Sequence, residues 1–285
     1  MAPVLEVSNL TKIFKTSNNG EFVAVDDISF SVGEGEIVGL LGPNGAGKTT
    51  TIQMLLGLTS TTKGEVSYFG TSLFTHKTEI LKRINFSSGY SLLPWRLMVW
   101  ESLDVFGWFY EIPHHRQKIA QLAHTFEAED LLGKKFQDLS AGQKTRILLI
   151  KAFMNDPEIL LLDEPTASLD PDIAAKIRSY IVLQRQQRNM ALLITSHNMG
   201  EVEELCDRVV FLNHGKVYAV DTPEGLARRN KTSQLQLMVV DGLKRLIELV
   251  QKQTFSYTES KRFITITLPE DRIAQFLTEI GKKGI

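Results

Sequence analysis

The sequence predicts an α/β fold with a mixed, mostly parallel sheet, and two observations support this prediction. Continuous apolar runs at EIVGLLG, ILLLD (159–163) and ALLITSH (191–197) are typical of strands buried on both faces. Segments with apolar residues at helical spacing, such as Ile52, Leu55 and Leu56, separate these runs. Because buried strands that alternate with helices usually pair in parallel, we expect a mostly parallel core sheet.

The remaining elements follow in chain order. VLEVSNL and FVAVDDISFSV alternate apolar and polar residues as half-buried antiparallel strands do, and SNNG (17–20) between them predicts a turn. The stretch from about 90 to 155 has helical periodicity and holds all three Trp residues, which predicts a helical insertion. From 233 on, the pattern changes to strand, helix, strand, strand, helix. We therefore predict two domains, 1–228 and a small α+β appendix, 229–285, which is incomplete at KKGI.

Composition limits the classes of function. The 285 residues carry 32 basic and 33 acidic side chains, a net charge of −1, so no electrostatic footprint for nucleic acid is present. The single Cys206 allows no internal disulfide and favours a reduced compartment; we expect it to pack as a small apolar residue. No signal peptide and no apolar run of about 20 residues is found. A soluble chain that reaches a membrane only through a partner is expected.

The segment GPNGAGKT (42–49) lies between a predicted strand and a predicted helix. Its spacing, a glycine, four residues and then Gly-Lys-Thr, is that of a phosphate-binding loop. Glycines let backbone N–H groups approach phosphate oxygens, and the helix start adds the positive end of its dipole. We expect Lys48 to bind the β- and γ-phosphates and the Thr49 hydroxyl to bind Mg²⁺. The predicted nucleotide-binding residues here are Gly42, Asn44, Gly45, Ala46, Gly47, Lys48, Thr49 and Thr50.

The second chemical motif is ILLLDEPT (159–166). An apolar strand that ends in a carboxylate places Asp163 at the crevice where the phosphate loop lies, so Asp163 is a predicted Mg²⁺ ligand. The neighbouring Glu164 is positioned to polarise an attacking water as a general base. Together the two motifs predict a P-loop nucleotide hydrolase with ATP and Mg²⁺ as cofactors.

The segment LSAGQKTR (139–146) closely resembles the LSGGQ signature of ATP-binding cassette (ABC) proteins. The resemblance covers roughly residues 4–225. It includes Ser168-Leu169-Asp170 at the D-loop position and His197 at the switch-histidine position. Phe14, in LTKIF, stands where the family places an aromatic that stacks on adenine. The resemblance implies an ABC-type P-loop core in which His197 and Lys48 assist Glu164 at the γ-phosphate.

The resemblance also implies partners. Two such domains, here a homodimer, pair head to tail and clamp ATP between the phosphate loop of one and the signature of the other. The signature residues that act across this interface are Ser140, Ala141, Gly142 and Gln143, with Asp170 nearby. An integral membrane permease subunit is the other partner, at the cytoplasmic face of the inner membrane. The chain looks most like bacterial exporters of the drug, lipid or polysaccharide type.

The chain departs from the family pattern at INFSSGYSLLP (84–94). Alignment of RLMVWESL (96–103) with the following family helix places Gly89 where the family has a glutamine near Mg²⁺. One interpretation is drift in a dead or structural copy, which the intact catalytic motifs disfavour. The other is that water, or a hydroxyl from Ser87, Ser88 or Ser91, occupies the metal position.

Six aromatic residues follow the segment INFSSGYSLLP (84–94). Aromatics in a helical segment are normally core, and we interpret most of them so, although some would line the groove that receives the membrane subunit. They are Trp95, Trp100, Phe106, Trp108, Phe109 and Tyr110. His114 and His115 have no carboxylate or Cys at metal spacing and are interpreted as solvated loop residues.

Two alternatives stay open at this point. The first is a soluble, non-transport ABC ATPase that acts on ribosomes or nucleic acid. It is less favoured because the chain has one phosphate loop and no visible coiled-coil or zinc insertion. The second concerns the appendix, which either has a regulatory role or adds contact area between subunits.

Overall fold

The structure, a computed structural model, describes residues 3–15, 20–89, 93–229, 232–239, 242–260, 263–269 and 272–282. In chain order its strands are β1 (Pro3–Lys15), β2 (Glu21–Gly33), β3 (Ile37–Leu41), β4 (Lys63–Tyr68), β5 (Thr71–Ser72), β6 (Ile84–Ser88), β7 (Ile159–Asp163), β8 (Ala191–Thr195), β9 (Arg208–Asn213), β10 (Lys216–Asp221), β11 (Thr232–Leu237), β12 (Ser256–Ser260) and β13 (Phe263–Pro269). Its α-helices are α1 (Lys48–Leu55), α2 (Lys77–Arg83), α3 (Val99–Phe109), α4 (His115–Thr125), α5 (Ala141–Phe153), α6 (Pro171–Arg188), α7 (Met199–Leu205), α8 (Pro223–Arg229), α9 (Leu243–Lys252) and α10 (Ile273–Lys282).

The central sheet has six strands in the spatial order β10-β9-β3-β8-β7-β6. All neighbours pair in parallel except β10, which runs antiparallel to β9. Every residue of β3, β7 and β8 is buried, which explains their continuous apolar sequences. The predicted mixed, mostly parallel sheet is confirmed.

The N-terminal strands form a second, antiparallel sheet in the order β2-β1-β4-β5. Phe14 of β1 lies directly opposite Phe22 of β2, so the two aromatic side chains share one face of this sheet. Most of the predicted turn at 17–20 lies outside the described residues.

Helix α1 is anchored between these two sheets. Its residues Ile52, Met54 and Leu55 belong to one apolar cluster with residues of β1, β3 and β4. The buried Tyr68 hydroxyl of β4 donates a hydrogen bond to the Leu55 carbonyl oxygen at 3.0 Å. These contacts fix the helix that follows the phosphate loop, and the hydrogen bond from Tyr68 holds its C-terminal end.

The helical insertion is present as predicted, with α3, α4 and α5 in it. The interpretation of its aromatic residues as mainly core is wrong. The side chains of Trp95, Trp100, Trp108 and Phe109 are exposed, and only Phe106 and Tyr110 are partly buried. Trp95 comes before α3, whereas Trp100, Trp108 and Phe109 lie on the helix, which presents these three rings to solvent instead of to a neighbouring element.

The interpretation of His115 as a solvated loop residue is also wrong. His115 is the first residue of α4 and is buried, with Nε2 2.9 Å from Asp104 Oδ1 on α3. The hydrogen bonds and charges of Arg116 and His115 lower the pKa of the Asp104 carboxyl to about 2. The imidazole therefore links two helices.

The chain forms two compact units, Met1–Pro223 and Glu224–Ile285, and the division falls at the first residue of α8. In the second unit the strands pair in the order β11-β13-β12, all antiparallel, and from β11 on the element order is the predicted β-α-β-β-α. Its own apolar cluster comprises Leu246, Leu249, Val250, Ile264, Ile266, Leu268, Phe276 and Ile280. Residues 283–285, part of the KKGI segment at which the appendix is predicted to be incomplete, lie outside the described part.

Across the described helices of both units, none is both long and apolar enough to cross a membrane.

Candidate nucleotide-binding site

The phosphate loop connects β3 to α1 and depends on two glycine positions. Gly47 caps α1 in the left-handed region, with φ +100°, and a Cβ there would lie 2.6 Å from the Ala24 carbonyl oxygen. Gly42 has φ +148°, and its Cβ would lie 2.2 Å from the Leu212 carbonyl oxygen. Side chains are thus excluded by backbone atoms, and the loop can bring its N–H groups close to a ligand.

The Lys48 side chain lies over this loop. Its Nζ donates hydrogen bonds to the carbonyl oxygens of Gly42, at 2.6 Å, and Pro43, at 3.1 Å. Both acceptors are neutral. A full cation held beside the N-terminus of α1 makes this end of the cavity strongly attractive to an anion.

Asp163 ends β7 beside the loop and is held by both neighbouring strands. Its Oδ1 accepts a hydrogen bond of 2.5 Å from the Thr195 hydroxyl of β8, and its Oδ2 accepts one of 3.3 Å from the Ser88 hydroxyl of β6. The three residues are register partners at the C-terminal ends of parallel strands. This position is the edge where open α/β sheets bind ligands.

Glu164 and His197 form a pair at the same edge. His197 Nδ1 lies 2.6 Å from Glu164 Oε2. The Glu164 backbone has φ +54°, and its N–H donates to both the carbonyl and the hydroxyl oxygen of Thr195, each at 3.1 Å. The strained backbone is therefore tied to β8, which also leads into His197.

Glu201, on α7, is buried, and the sequence did not predict it as a residue of the site. Its carboxylate accepts hydrogen bonds from Ser196, at 2.6 Å, and from Thr166, at 2.9 Å. Ser196 directly precedes His197, and Thr166 comes two residues after Glu164. Glu201 therefore joins the two segments that carry the Glu164–His197 pair. The available signal was a carboxylate one helical turn after His197.

Lys48, Asp163 and Glu164 line a cavity of about 420 Å³, whereas His197, Glu201 and Gly42 are not part of its lining. Phe14 is not part of its lining, whereas its cross-strand neighbour Phe22 is. Phe22 is 55% exposed, while Phe14 is 38% exposed and has the Lys12 ammonium 5.0 Å from its ring centroid. Phe22 was not predicted, although its place opposite Phe14 is visible once the strands are paired. The lining residues are Phe22, Ala24, Asn44, Gly45, Ala46, Gly47, Lys48, Thr49, Thr50, Gly89, Asp163 and Glu164.

The signature residues lie elsewhere, at the N-terminus of α5, and none of them lines this cavity. Ser140 Oγ accepts a hydrogen bond from the Gln143 N–H, and Gln143 Oε1 accepts one from the Ser140 N–H. A Cβ on Gly142 would lie 2.6 Å from the Ser168 carbonyl oxygen. The signature is thus packed on the D-loop segment of its own chain, which ends at the exposed Asp170.

The residues present fit ATP with Mg²⁺. Two glycines form a cradle that a Cβ would fill, and the cradle is followed by a cation and a helix N-terminus. The Thr49 hydroxyl and the Asp163 carboxylate are the hard oxygen donors that Mg²⁺ prefers. An aromatic ring, Phe22, borders the same cavity. Fold and site together define a P-loop nucleotide-binding domain.

Comparisons with known proteins agree. The profile of the family described as ABC transporter matches residues 25–167. A bacitracin transport ATP-binding protein of Bacillus licheniformis is 31% identical over 288 residues, covering 100% of this chain and 88% of the relative. A Nod factor export ATP-binding protein I of Burkholderia lata is 36% identical over 238 residues, covering 79% and 73%. A solved structure of an ATP-binding subunit of an ABC transporter has a TM-score of 0.73 at 26% identity, covering 79% of this chain and 92% of that one. The chain belongs to the ABC transporter family, as a nucleotide-binding subunit, and the resemblance of its signature is confirmed.

Proposed function

We propose that the protein hydrolyses ATP to power export through a separate membrane permease. One observation carries the proposal: Lys48, Asp163 and Glu164 line the same cavity, and His197 contacts Glu164. Lys48 and the loop N–H groups bind the phosphates, while Thr49 and Asp163 hold Mg²⁺, which neutralises phosphate charge when bound.

The Glu164 carboxylate acts as the general base in this proposal. It accepts a proton from the attacking water, while His197, 2.6 Å away, holds the carboxylate in place. Lys48 and His197 together stabilise the charge that develops on the γ-phosphoryl group. Glu201 and Thr195 support this arrangement by fixing the backbone segments that carry the pair.

The functional unit is proposed to be a homodimer. The cavity lacks any signature residue of its own chain, and the N-terminus of α5 exposes Ser140 and Ala141. A second copy placed head to tail brings this helix start onto the γ-phosphate and closes the cavity. Phe14 and Phe22 together form the adenine-facing surface.

The dimer can be tested with Ala141→Glu. The new carboxylate lies at the start of α5, where it suits the helix dipole, but it faces the phosphates of the partner's ATP. We expect ATP binding by the monomer to be unchanged and the ATP-dependent dimer to be lost in light scattering after gel filtration. A variant that still dimerises with ATP would contradict the head-to-tail arrangement.

The exposed aromatic surface of the insertion (Trp95, Trp100, Trp108 and Phe109) is proposed to receive the permease. Beside it lies a groove of about 240 Å³ lined by Trp100, Asp104, Arg116, Ile119, Ala120 and Leu132. Large aromatics anchor protein interfaces, and four exposed ones in one insertion exceed what a solvated surface needs. Trp95→Ala should keep the fold and weaken recovery of the complex. Tyr218→Ala, which removes another exposed aromatic, on β10, is the matched control.

The substrate is proposed to be of the drug, lipid or polysaccharide type. The names of two relatives, a bacitracin transport protein and a Nod factor export protein, support an exporter. The chain would then work at the cytoplasmic face of the inner membrane, bound to its permease.

The test uses a tagged Glu164→Gln variant, which should bind ATP without hydrolysing it. It is isolated with ATP and Mg²⁺ from detergent-solubilised membranes, and its partners are identified by mass spectrometry. A multi-spanning membrane protein in near-equal amount supports the proposal. Glu203→Gln, an exposed glutamate of α7, is the control for the change of charge. Ribosomes, nucleic acid or no membrane partner would instead indicate a soluble ABC ATPase.

A further inference from the structure

We propose that the Ser88 hydroxyl is a magnesium ligand in this protein and replaces the side chain that Gly89 lacks. The inference rests on the proposed ATP hydrolysis, since it concerns the metal of that site. It concerns the residues at the end of β6, Ser88 and Gly89.

The first observation is the position of Ser88. It ends β6 directly opposite Asp163 in the parallel register, and its Oγ lies 3.3 Å from Asp163 Oδ2. Two neighbouring ligands of an octahedral Mg²⁺, each about 2.1 Å from the ion, are about 3 Å apart. The two oxygens therefore already have close to the spacing of adjacent ligands on one ion.

The second observation is how Asp163 is held. Its Oδ1 is fixed by the Thr195 hydroxyl at 2.5 Å, so its Oδ2 is the oxygen on the side of Ser88. A serine hydroxyl has one hydrogen and two lone pairs. Ser88 can therefore turn its hydrogen away from the carboxylate and present a lone pair to a cation that both oxygens share.

The third observation is the space around Gly89. This residue lines the nucleotide cavity, and a Cβ on it would meet nothing within 4 Å. The cavity is therefore open at Gly89, and Ser88, the last residue of β6, directly precedes this opening, although it is not part of the cavity lining itself.

The other two serines considered from the sequence are less suitable. Ser87 is 5% exposed, and because side chains alternate along a strand, it faces the opposite side of the sheet from Ser88. Ser91 lies outside the described residues. Ser87 therefore serves as the matched control for Ser88.

The experiment measures metal binding instead of turnover. In the Glu164→Gln protein saturated with ATP, Mn²⁺ binding is titrated by electron paramagnetic resonance for the parent, Ser88→Ala and Ser87→Ala. We expect Ser88→Ala to weaken Mn²⁺ binding by at least about tenfold, because the loss of even an outer-shell partner of a metal ligand typically costs 10–100-fold in affinity. Ser87→Ala should leave it unchanged. ATP binding in EDTA should be equal in all three, which shows that the cavity is intact.

A second pair of variants separates ligation from mere orientation of Asp163. Thiolates prefer soft metals, so Ser88→Cys should raise the ratio of Cd²⁺ to Mg²⁺ affinity at least tenfold, and Ser87→Cys should not. If Ser88→Cys leaves this ratio unchanged, or Ser88→Ala leaves Mn²⁺ binding unchanged, the inference is wrong while the proposed function stands. If the parent binds ATP no tighter with metal than in EDTA, the proposed function fails as well.

Discussion

A buried lysine in α5 leads to a quantitative prediction about stability. Lys151 is 7% exposed, and its ammonium lies 2.9 Å from Asn85 Oδ1 and 3.2 Å from the Phe86 carbonyl oxygen. The rings of Phe86 and Phe106 lie 4.6 and 5.6 Å away. All of these partners are neutral. Burial therefore lowers the pKa of Lys151 to about 8, from an ordinary value of 10.5.

The sign of the effect follows from which state holds the proton. Between pH 8 and pH 10.5 the unfolded chain keeps the lysine protonated while the folded protein has released the proton, so stability increases with pH in this window. Below pH 8 both states are charged and the folded protein bears the full cost of the buried cation. At about 1.4 kcal/mol for each pKa unit, that cost is about 3 kcal/mol. Between pH 7 and pH 9.5 the group should contribute an increase of about 2 kcal/mol.

The variant is Lys151→Met, which keeps an unbranched side chain of nearly the same length and removes the titrating group. Urea unfolding of the wild type and the variant is followed by tryptophan fluorescence, which reports this unit because all three Trp residues lie in the insertion. The wild type should gain about 2 kcal/mol relative to the variant between pH 7 and pH 9.5. Other titrating groups affect both proteins equally and cancel in the difference. Parallel pH dependences would refute the lowered pKa of Lys151.

Three further predictions concern the site. Gly42→Ala, whose Cβ would lie 2.2 Å from the Leu212 carbonyl oxygen, should abolish measurable ATP binding in calorimetry; retained affinity would show that the loop can relax. Phe22→Ala should weaken ATP binding by about 1–3 kcal/mol, because a base stacked on an aromatic ring contributes that much. Displacement of a fluorescent nucleotide measures this affinity, and an unchanged value would show that adenine does not stack on Phe22. Glu201→Leu leaves two hydroxyls, including that of Ser196, without their acceptor. The free energy of unfolding, measured by thermal or urea denaturation, should therefore fall by about 2–4 kcal/mol. A smaller decrease would mean that water replaces the carboxylate.

The sequence predicts those parts of the fold that depend on local pattern. The runs in β3, β7 and β8 are recognisable because strands buried on both faces have few polar residues. The phosphate loop is recognisable because its glycines are required by nearby backbone atoms. The order of elements in the appendix follows from its changing periodicity in the same way.

Contacts between distant segments could not be predicted. Phe22 joins the cavity through the pairing of β1 with β2, and its register with Phe14 depends on bulges in these strands. His115 finds its carboxylate eleven residues earlier, on a different helix, so a search for metal-like spacing around it misses Asp104. The exposure of the α3 aromatics was missed because helical periodicity shows which residues share a face but not whether that face is covered.

The strained backbone at Glu164 has a consequence for how such proteins can be engineered. A non-glycine residue at φ +54° costs on the order of 1 kcal/mol, and glycine at that position would release the strain. The residue proposed to activate water is thus one whose loss makes the fold easier to form. Directed evolution that selects only for thermal resistance will tend to enrich inactive Glu164→Gly clones, so a screen for turnover has to accompany it.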